Sequence, residues 1–222
     1  MKVIIPAKAS SERVARKNWR EFYNGDSLVD ITISKLRDAG VPSGEIIVSC
    51  ENEDLLQHVQ KRHHVATALR SEKLCGNQVS LTTWIRSIVK QCKITGDVGW
   101  AQVCDPMFDD YDECFYVWST AKKTYDSLVV AYETQQYLMM RSCGEMQPIG
   151  WSFGEHHTPS QYLPTLYTMP FTFSILSQES IAATGYHVGR KPYWFVCQTK
   201  HIDIDLPSDF ATAQAMYSQR NV

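Results

Sequence analysis

Hydrophobic residues in this chain follow two periods that take turns along its length, and this alternation most constrains the fold. Val3-Ile4-Ile5 is a short apolar run stopped by Pro6, the pattern of a strand buried on both faces. Leu28, Ile31, Ile33 and Leu36 then mark a helix, with Asp26 or Ser27 placed to cap it and Gly40 where it should stop. Glu45 to Ser49 reads as a second buried strand, Asn52 to Arg62 as a helix and Val65 to Leu69 as a third strand. Ser80 to Cys92 sets Leu81, Trp84, Ile85, Ile88 and Val89 at helical spacing. Val98 to Val103 predicts a strand ended by Asp105-Pro106, Asp110 to Lys123 a helix, and Ser127 to Tyr132 a strand. A βαβα succession of this kind implies an α/β fold, a mostly parallel sheet with helices on both faces.

The rhythm breaks between Glu133 and about Tyr167, where turn residues and aromatics predict hairpins or a small β arm. Phe171 to Leu176 reads as a strand, Ser177 to Ala183 as a short helix, and Trp194 to Val196 and His201 to Asp205 as late strands. Pro207 to Tyr217 predicts a closing helix. A length of 222 residues suits one domain over 1–222.

A formal net charge of −2 gives no reason to expect nucleic acid or a membrane surface as partner. No apolar run is long enough to span a bilayer, and the N-terminal run is too short for a signal-peptide core. The seven cysteines are scattered, without a metal-binding or disulfide spacing. Reduced thiols and a cytoplasmic location are the expectation.

Two segments can carry chemistry. Ligands of open α/β sheets bind at the carboxyl ends of the strands, which points to the loop after the first strand, Ala7 to Asn18. It holds Lys8, Arg13, Arg16 and Lys17 with the hydroxyls of Ser10 and Ser11, groups that can surround a triphosphate. It is not a Walker loop, and on composition alone a solvated basic loop fits as well. In His201-Ile202-Asp203-Ile204-Asp205, strict alternation puts Asp203 and Asp205 on one strand face. Two adjacent carboxylates suit Mg²⁺, although an exposed acidic face fits the pattern too. The pairs His63-His64 and His156-His157 make poor metal clamps, because neighbours on an extended chain point apart.

Taken together these segments resemble the CMP-sialic acid synthetase (N-acylneuraminate cytidylyltransferase) family. Ile5-Pro6-Ala7-Lys8 through Lys17-Asn18 is similar to its opening signature. Asp203, Asp205 and Asp209 fall on its late I-D-I-D-x-x-x-D signature. Arg70 to Leu74 with Ser80, and Gln102 to Pro106, fit the segments between. The resemblance implies a Rossmann-like nucleotidyltransferase domain whose arm, about 133–167, joins a homodimer. It implies CMP transfer from CTP to a sialic-acid-like or other sugar acceptor, with pyrophosphate released. Lys8, Ser11, Arg13 and Lys17 would hold phosphates, Lys17 with a catalytic part. Asn18, Arg70 and Ser80 would bind the cytidine, Gln102, Thr168 and Phe171 the acceptor, and Asp203 and Asp205 the Mg²⁺.

The departures from the pattern are specific. Lys8 replaces an Arg, Glu12 a Lys, Phe108 an Arg, and Thr168-Met169-Pro170-Phe171 an R-P-N-G run; Ser160 stands near a usual Arg. They leave room for a non-catalytic nucleotide-binding homologue, or for another nucleotide or a non-sugar acceptor.

Overall fold

The computed structural model describes residues 1–11, 13–75 and 79–220. In chain order its elements begin with β1 (Lys2–Pro6), β2 (Glu21–Tyr23), β3 (Asp26–Ser27), α1 (Leu28–Asp38), β4 (Ile46–Cys50), α2 (Glu53–His63) and β5 (Ala66–Leu69). Next come α3 (Leu81–Gln91), β6 (Val98–Ala101), α4 (Tyr111–Ala121), β7 (Ser127–Thr134), β8 (Met139–Ser142), β9 (Glu145–Pro148) and β10 (Leu166–Thr168). The chain ends with β11 (Phe173–Leu176), α5 (Gln178–Thr184), β12 (Pro192–Cys197) and α6 (Pro207–Arg220).

Strand β1 is apolar from Val3 to Pro6 because both of its faces are covered. Val3 and Ile5 enter a large core with Leu28 and Ile33 of α1, Leu56 of α2, Trp118 of α4 and Phe210 of α6. Ile4 points the other way, into a smaller core with Ile85 and Ile88 of α3 and Ile181 of α5. The eight-stranded sheet runs β10-β7-β11-β6-β1-β4-β5, with β12 added along β7. Pairs β1–β4, β1–β6, β4–β5 and β7–β12 are parallel, whereas β11 and β10 pair antiparallel. The α/β expectation therefore holds. The chain steps from β1 outward through β4 to β5 and then returns to the other side of β1 as β6. That reversal opens a crevice at the carboxyl ends of β1 and β6, where α/β proteins bind ligands.

Local chemistry explains the helix starts. The Ser27 hydroxyl accepts from the Asp30 N–H, and the Asp30 carboxylate accepts from the Ser27 N–H (2.8 Å), a reciprocal cap. Ser80 and Ser177 cap α3 and α5 without the return bond, each accepting from an N–H three residues on.

Three expectations are corrected. The polar stretch from Ala7 to about Asp26 reads as loop, yet residues 21–27 form the β2–β3 hairpin. Its Asn24-Gly25 turn has φ of 48° and 84°, both left-handed, as a type I′ turn requires. His201 to Asp205 is not a strand: among the described residues its one backbone link to the sheet region runs from the Ile204 N–H to the Cys104 carbonyl (3.0 Å), and one bond makes no ladder. The proposed arm is shorter than 133–167. Glu133 remains in β7, and β10 pairs back onto it, leaving the β8–β9 hairpin and two 3₁₀ turns between.

Candidate active site

The loop after β1 is shaped by its own side chains. Val14 is buried in the main core and pins the middle of the loop. The Lys8 carbonyl accepts from Asn18 Nδ2 (3.1 Å) and Trp19 Nε1 (2.9 Å), so the loop closes on itself and turns Lys8, Ser10, Ser11, Arg13 and Lys17 to one side. These five residues, with Asn18, Arg70, Gln102, Val103 and Cys104, line a cleft of about 500 Å³ together with Cys75 and Trp84. Arg70 arrives from the end of β5 and residues 102–104 from the end of β6. The lining thus comes from three strand ends, as the sheet order demands.

Seven of the sequence-predicted residues meet in this cleft: Lys8, Ser11, Arg13, Lys17, Asn18, Arg70 and Gln102. Ser80, Thr168, Phe171, Asp203 and Asp205 are not among the lining residues. The Ser80 hydroxyl accepts from the Thr83 N–H (3.2 Å) as the cap of α3. Thr168 lies in β10. Phe171 has a left-handed φ of 61° and packs edge-on against the buried His187 ring at 4.9 Å. Phe108, which replaces an Arg of the family pattern, is fully buried against Tyr111 at 4.7 Å and is a core residue. Ser160 lies in an exposed 3₁₀ turn. Glu12 lies outside the described residues.

The acidic segment reaches the cleft edge without being a strand. Ile204 is buried, so Asp203 and Asp205 are carried to the surface on either side of it. Arg13 Nη2 lies 2.7 Å from Asp205 Oδ1, and Lys17 Nζ lies 3.9 Å from the same oxygen while donating to the Ile204 carbonyl. Loss of water around Asp203 raises its pKa; Asp205 and Asp105 push in the same direction, against Cys104 and Lys17. Asp209 acts differently. Its carboxylate accepts from the N–H groups of Leu206 (2.7 Å) and Asp205 (3.1 Å), which cap α6 and hold its own pKa down.

At the end of β5, Arg70 is 2% exposed and its Nη2 donates to Glu51 Oε2 at 2.8 Å. Its Nε and Nη1 are buried with no hydrogen-bond partner among the described residues, as is Trp84 Nε1. The guanidinium lies 5.5 Å from the Trp84 ring, and that ring packs edge-on against Trp100 at 5.3 Å. Unpaired buried donors are uncommon and point to an acceptor that binds there. Sequence reasoning missed Glu51, Trp84, Cys75 and Cys104. Glu51 was findable, because it follows a buried strand just as the basic loop does.

A family model described as cytidylyltransferase matches residues 2–141, more than half of the chain and all three strand ends that build the cleft. The chain belongs to the cytidylyltransferase family. The match is to cytidylyltransferases as a whole and does not single out the CMP-sialic acid synthetases. No curated protein matches the chain in sequence.

Solved structures with this fold include a CMP:2-keto-3-deoxy-manno-octonic acid synthetase complexed with CTP. It is 11% identical, with a TM-score of 0.65 over 99% of this chain and 98% of that one. A 4-diphosphocytidyl-2C-methyl-D-erythritol synthase from Anaerococcus prevotii is 12% identical, with a TM-score of 0.65 over 98% and 96%. A putative glucose-1-phosphate thymidylyltransferase from Bacillus anthracis is 9% identical, with a TM-score of 0.65 over 97% and 94%. At such identities the likeness shows a shared nucleotidyltransferase fold. Among the described residues, no helix is long and apolar enough to cross a membrane.

Proposed function

We propose that the chain transfers CMP from CTP to a sugar-like acceptor, sialic-acid-like in its broad class, with release of pyrophosphate. The observation that carries this reading is the set of donors around the cleft. Lys8, Arg13 and Lys17 line it from the loop after β1, and Arg70, with two donors unpaired among the described residues, lines it from the end of β5. A triphosphate suits the first group and the acceptor edge of a pyrimidine the second. The acceptor oxygen attacks the α-phosphorus as the bond to the β-phosphate oxygen breaks. Lys17 and Arg13 offset the charge that builds on the leaving pyrophosphate, and Ser11 adds a hydroxyl donor. Gln102 is the residue we assign to the acceptor, since Thr168 and Phe171 lie off the cleft lining. The chemistry is mostly positioning and electrostatics.

The carboxylates fit Mg²⁺. Asp203 is crowded by Asp205 and Asp105, and crowded carboxylates favour a bound cation. Among the described residues no three acidic, His or Cys side chains converge as a closed metal cage. Mg²⁺ takes one or two carboxylates and completes its shell with phosphate oxygens and water. Asp203 and Asp205 would hold it, and it would supply charge neutralisation at the phosphates.

One observation favours a second reading, a nucleotide-binding homologue without turnover. Asp205 already pairs with Arg13 and lies near Lys17, so the acidic and basic groups partly satisfy one another. Pyrophosphate release, measured with each of the four NTPs and a panel of sugar-acid and simple-alcohol acceptors, with and without Mg²⁺, separates the readings. Mg²⁺-dependent release from CTP with a sugar acid is expected. CTP binding with no release under any condition supports the non-catalytic homologue, and release from another NTP overturns the assignment to CTP.

A further inference from the structure

Glu51 follows β4 and joins two of the segments that line the cleft. Its Oε1 accepts from the Ala9 N–H at 2.8 Å, in the basic loop after β1. Its Oε2 accepts from Arg70 Nη2 at 2.8 Å, at the end of β5. The Arg70 N–H in turn donates to the Cys50 carbonyl at 2.7 Å, beside Glu51 in the chain. One carboxylate therefore ties together three loops at successive strand ends. Its side chain is 11% exposed and that of Arg70 1%, so the pair is shielded from competing water. Burial alone would raise the Glu51 carboxyl, but the Arg70 guanidinium and the Ala9 N–H outweigh it and hold the group below its ordinary pKa.

Among the described residues this geometry leaves Arg70 with one nitrogen engaged and two free. Nη2 is held by Glu51, and Nε and Nη1 have no partner among those residues in a side chain that lines the cleft. We propose that Glu51 is a positioning residue for the nucleotide: it locks the Arg70 guanidinium to the phosphate loop, so that base recognition and triphosphate binding are coupled through one carboxylate. The proposal rests on the CTP reading above. Glu51 need not touch the substrate, because its effect passes through Arg70 on one side and the Ala9 backbone on the other.

A plain structural ion pair would stabilise the fold without linking the two binding functions, and the test separates these. Affinities for CTP and for inorganic tripolyphosphate, which lacks the base, are measured by calorimetry on wild type, Glu51→Gln, Arg70→Ala and the double variant, with melting curves for each. Arg70→Ala should weaken CTP about ten- to a hundredfold and leave tripolyphosphate nearly unchanged. Glu51→Gln should weaken both ligands, and the double variant should bind CTP much more tightly than the product of the single effects predicts. Wild-type affinity for CTP in a folded Glu51→Gln variant, loss of CTP with tripolyphosphate untouched, or effects that simply multiply would each overturn the coupling. Should Glu51→Gln not fold, Glu51→Asp keeps the charge but is too short to reach both partners. It should lose at least about tenfold in CTP affinity, and an unchanged value overturns the proposal. No CTP binding by wild type would instead count against the nucleotide reading itself.

Discussion

Asp203, Asp205 and Asp209 lie within seven residues of one another, yet their surroundings give them different work. The Asp209 carboxylate is spent on the N–H groups of Leu206 and Asp205, so it builds the turn into α6 and presents Asp205. Asp203 has a carboxyl raised by lost water and by like charges, the condition a bound cation relieves. We predict that Asp203→Asn and Asp205→Asn each lower Mg²⁺-dependent turnover by more than the roughly ten- to hundredfold typical of an outer-shell partner. Circular dichroism should remain that of the folded protein. Turnover near the wild-type value in both variants would remove these carboxylates from the mechanism. The basic loop and the paired aspartates were legible because charge clusters stand out in sequence. Glu51 and Trp84 were not, since their role depends on which strands become neighbours.

At the scale of elements, sequence periodicity located the helices and most strands because burial on two faces leaves an unbroken apolar run. It failed where a hydrogen-bond ladder decides. His201 to Asp205 alternates like a strand but finds no partner strand, and β2–β3 is marked only by its Asn24-Gly25 turn. The elements also carry a pH signature. His187, beside α5, is buried against Trp100, Phe171 and Tyr186, and burial pulls its pKa down to about 4. It is neutral when folded, while the unfolded chain takes up a proton below about 6.5. Stability is therefore fully present above that pH and falls as pH drops towards 4, by roughly 3 kcal/mol at 1.36 kcal/mol per pKa unit. Asp30 of α1 continues the decline. Burial would raise its pKa, but bonds from His63 (2.7 Å) and Ser27 and the nearby Arg62 charge hold it at about 2, so its contribution is lost as pH falls from about 4 through 2. Urea unfolding between pH 7 and 4 should show the His187 loss in wild type and a much flatter profile in His187→Phe. Parallel profiles would refute this source of acid sensitivity.

For the whole molecule, the segment between β7 and β10 leaves the packed sheet and exposes Met140, Met146, Phe153 and Tyr162, each more than half exposed. Methionine and aromatic residues of this kind are enriched in interface cores, and we predict a homodimer joined through this segment. Light scattering at micromolar concentration should give twice the chain mass, and Met140→Asp with Met146→Asp should shift it to one. A monomeric wild type would contradict the prediction. A CTP site in the cleft at the ends of β1, β5 and β6 underlies the proposed chemistry. The most direct measurement is a calorimetric titration of CTP into wild type, Lys17→Ala and Lys122→Ala, the last a change at the exposed end of α4 where Lys122 pairs with Asp97 at 3.5 Å. One CTP per chain is expected, with Lys17→Ala weaker by about ten- to a hundredfold and Lys122→Ala unchanged. Equal affinities for the two variants, or no binding by wild type, would contradict the account.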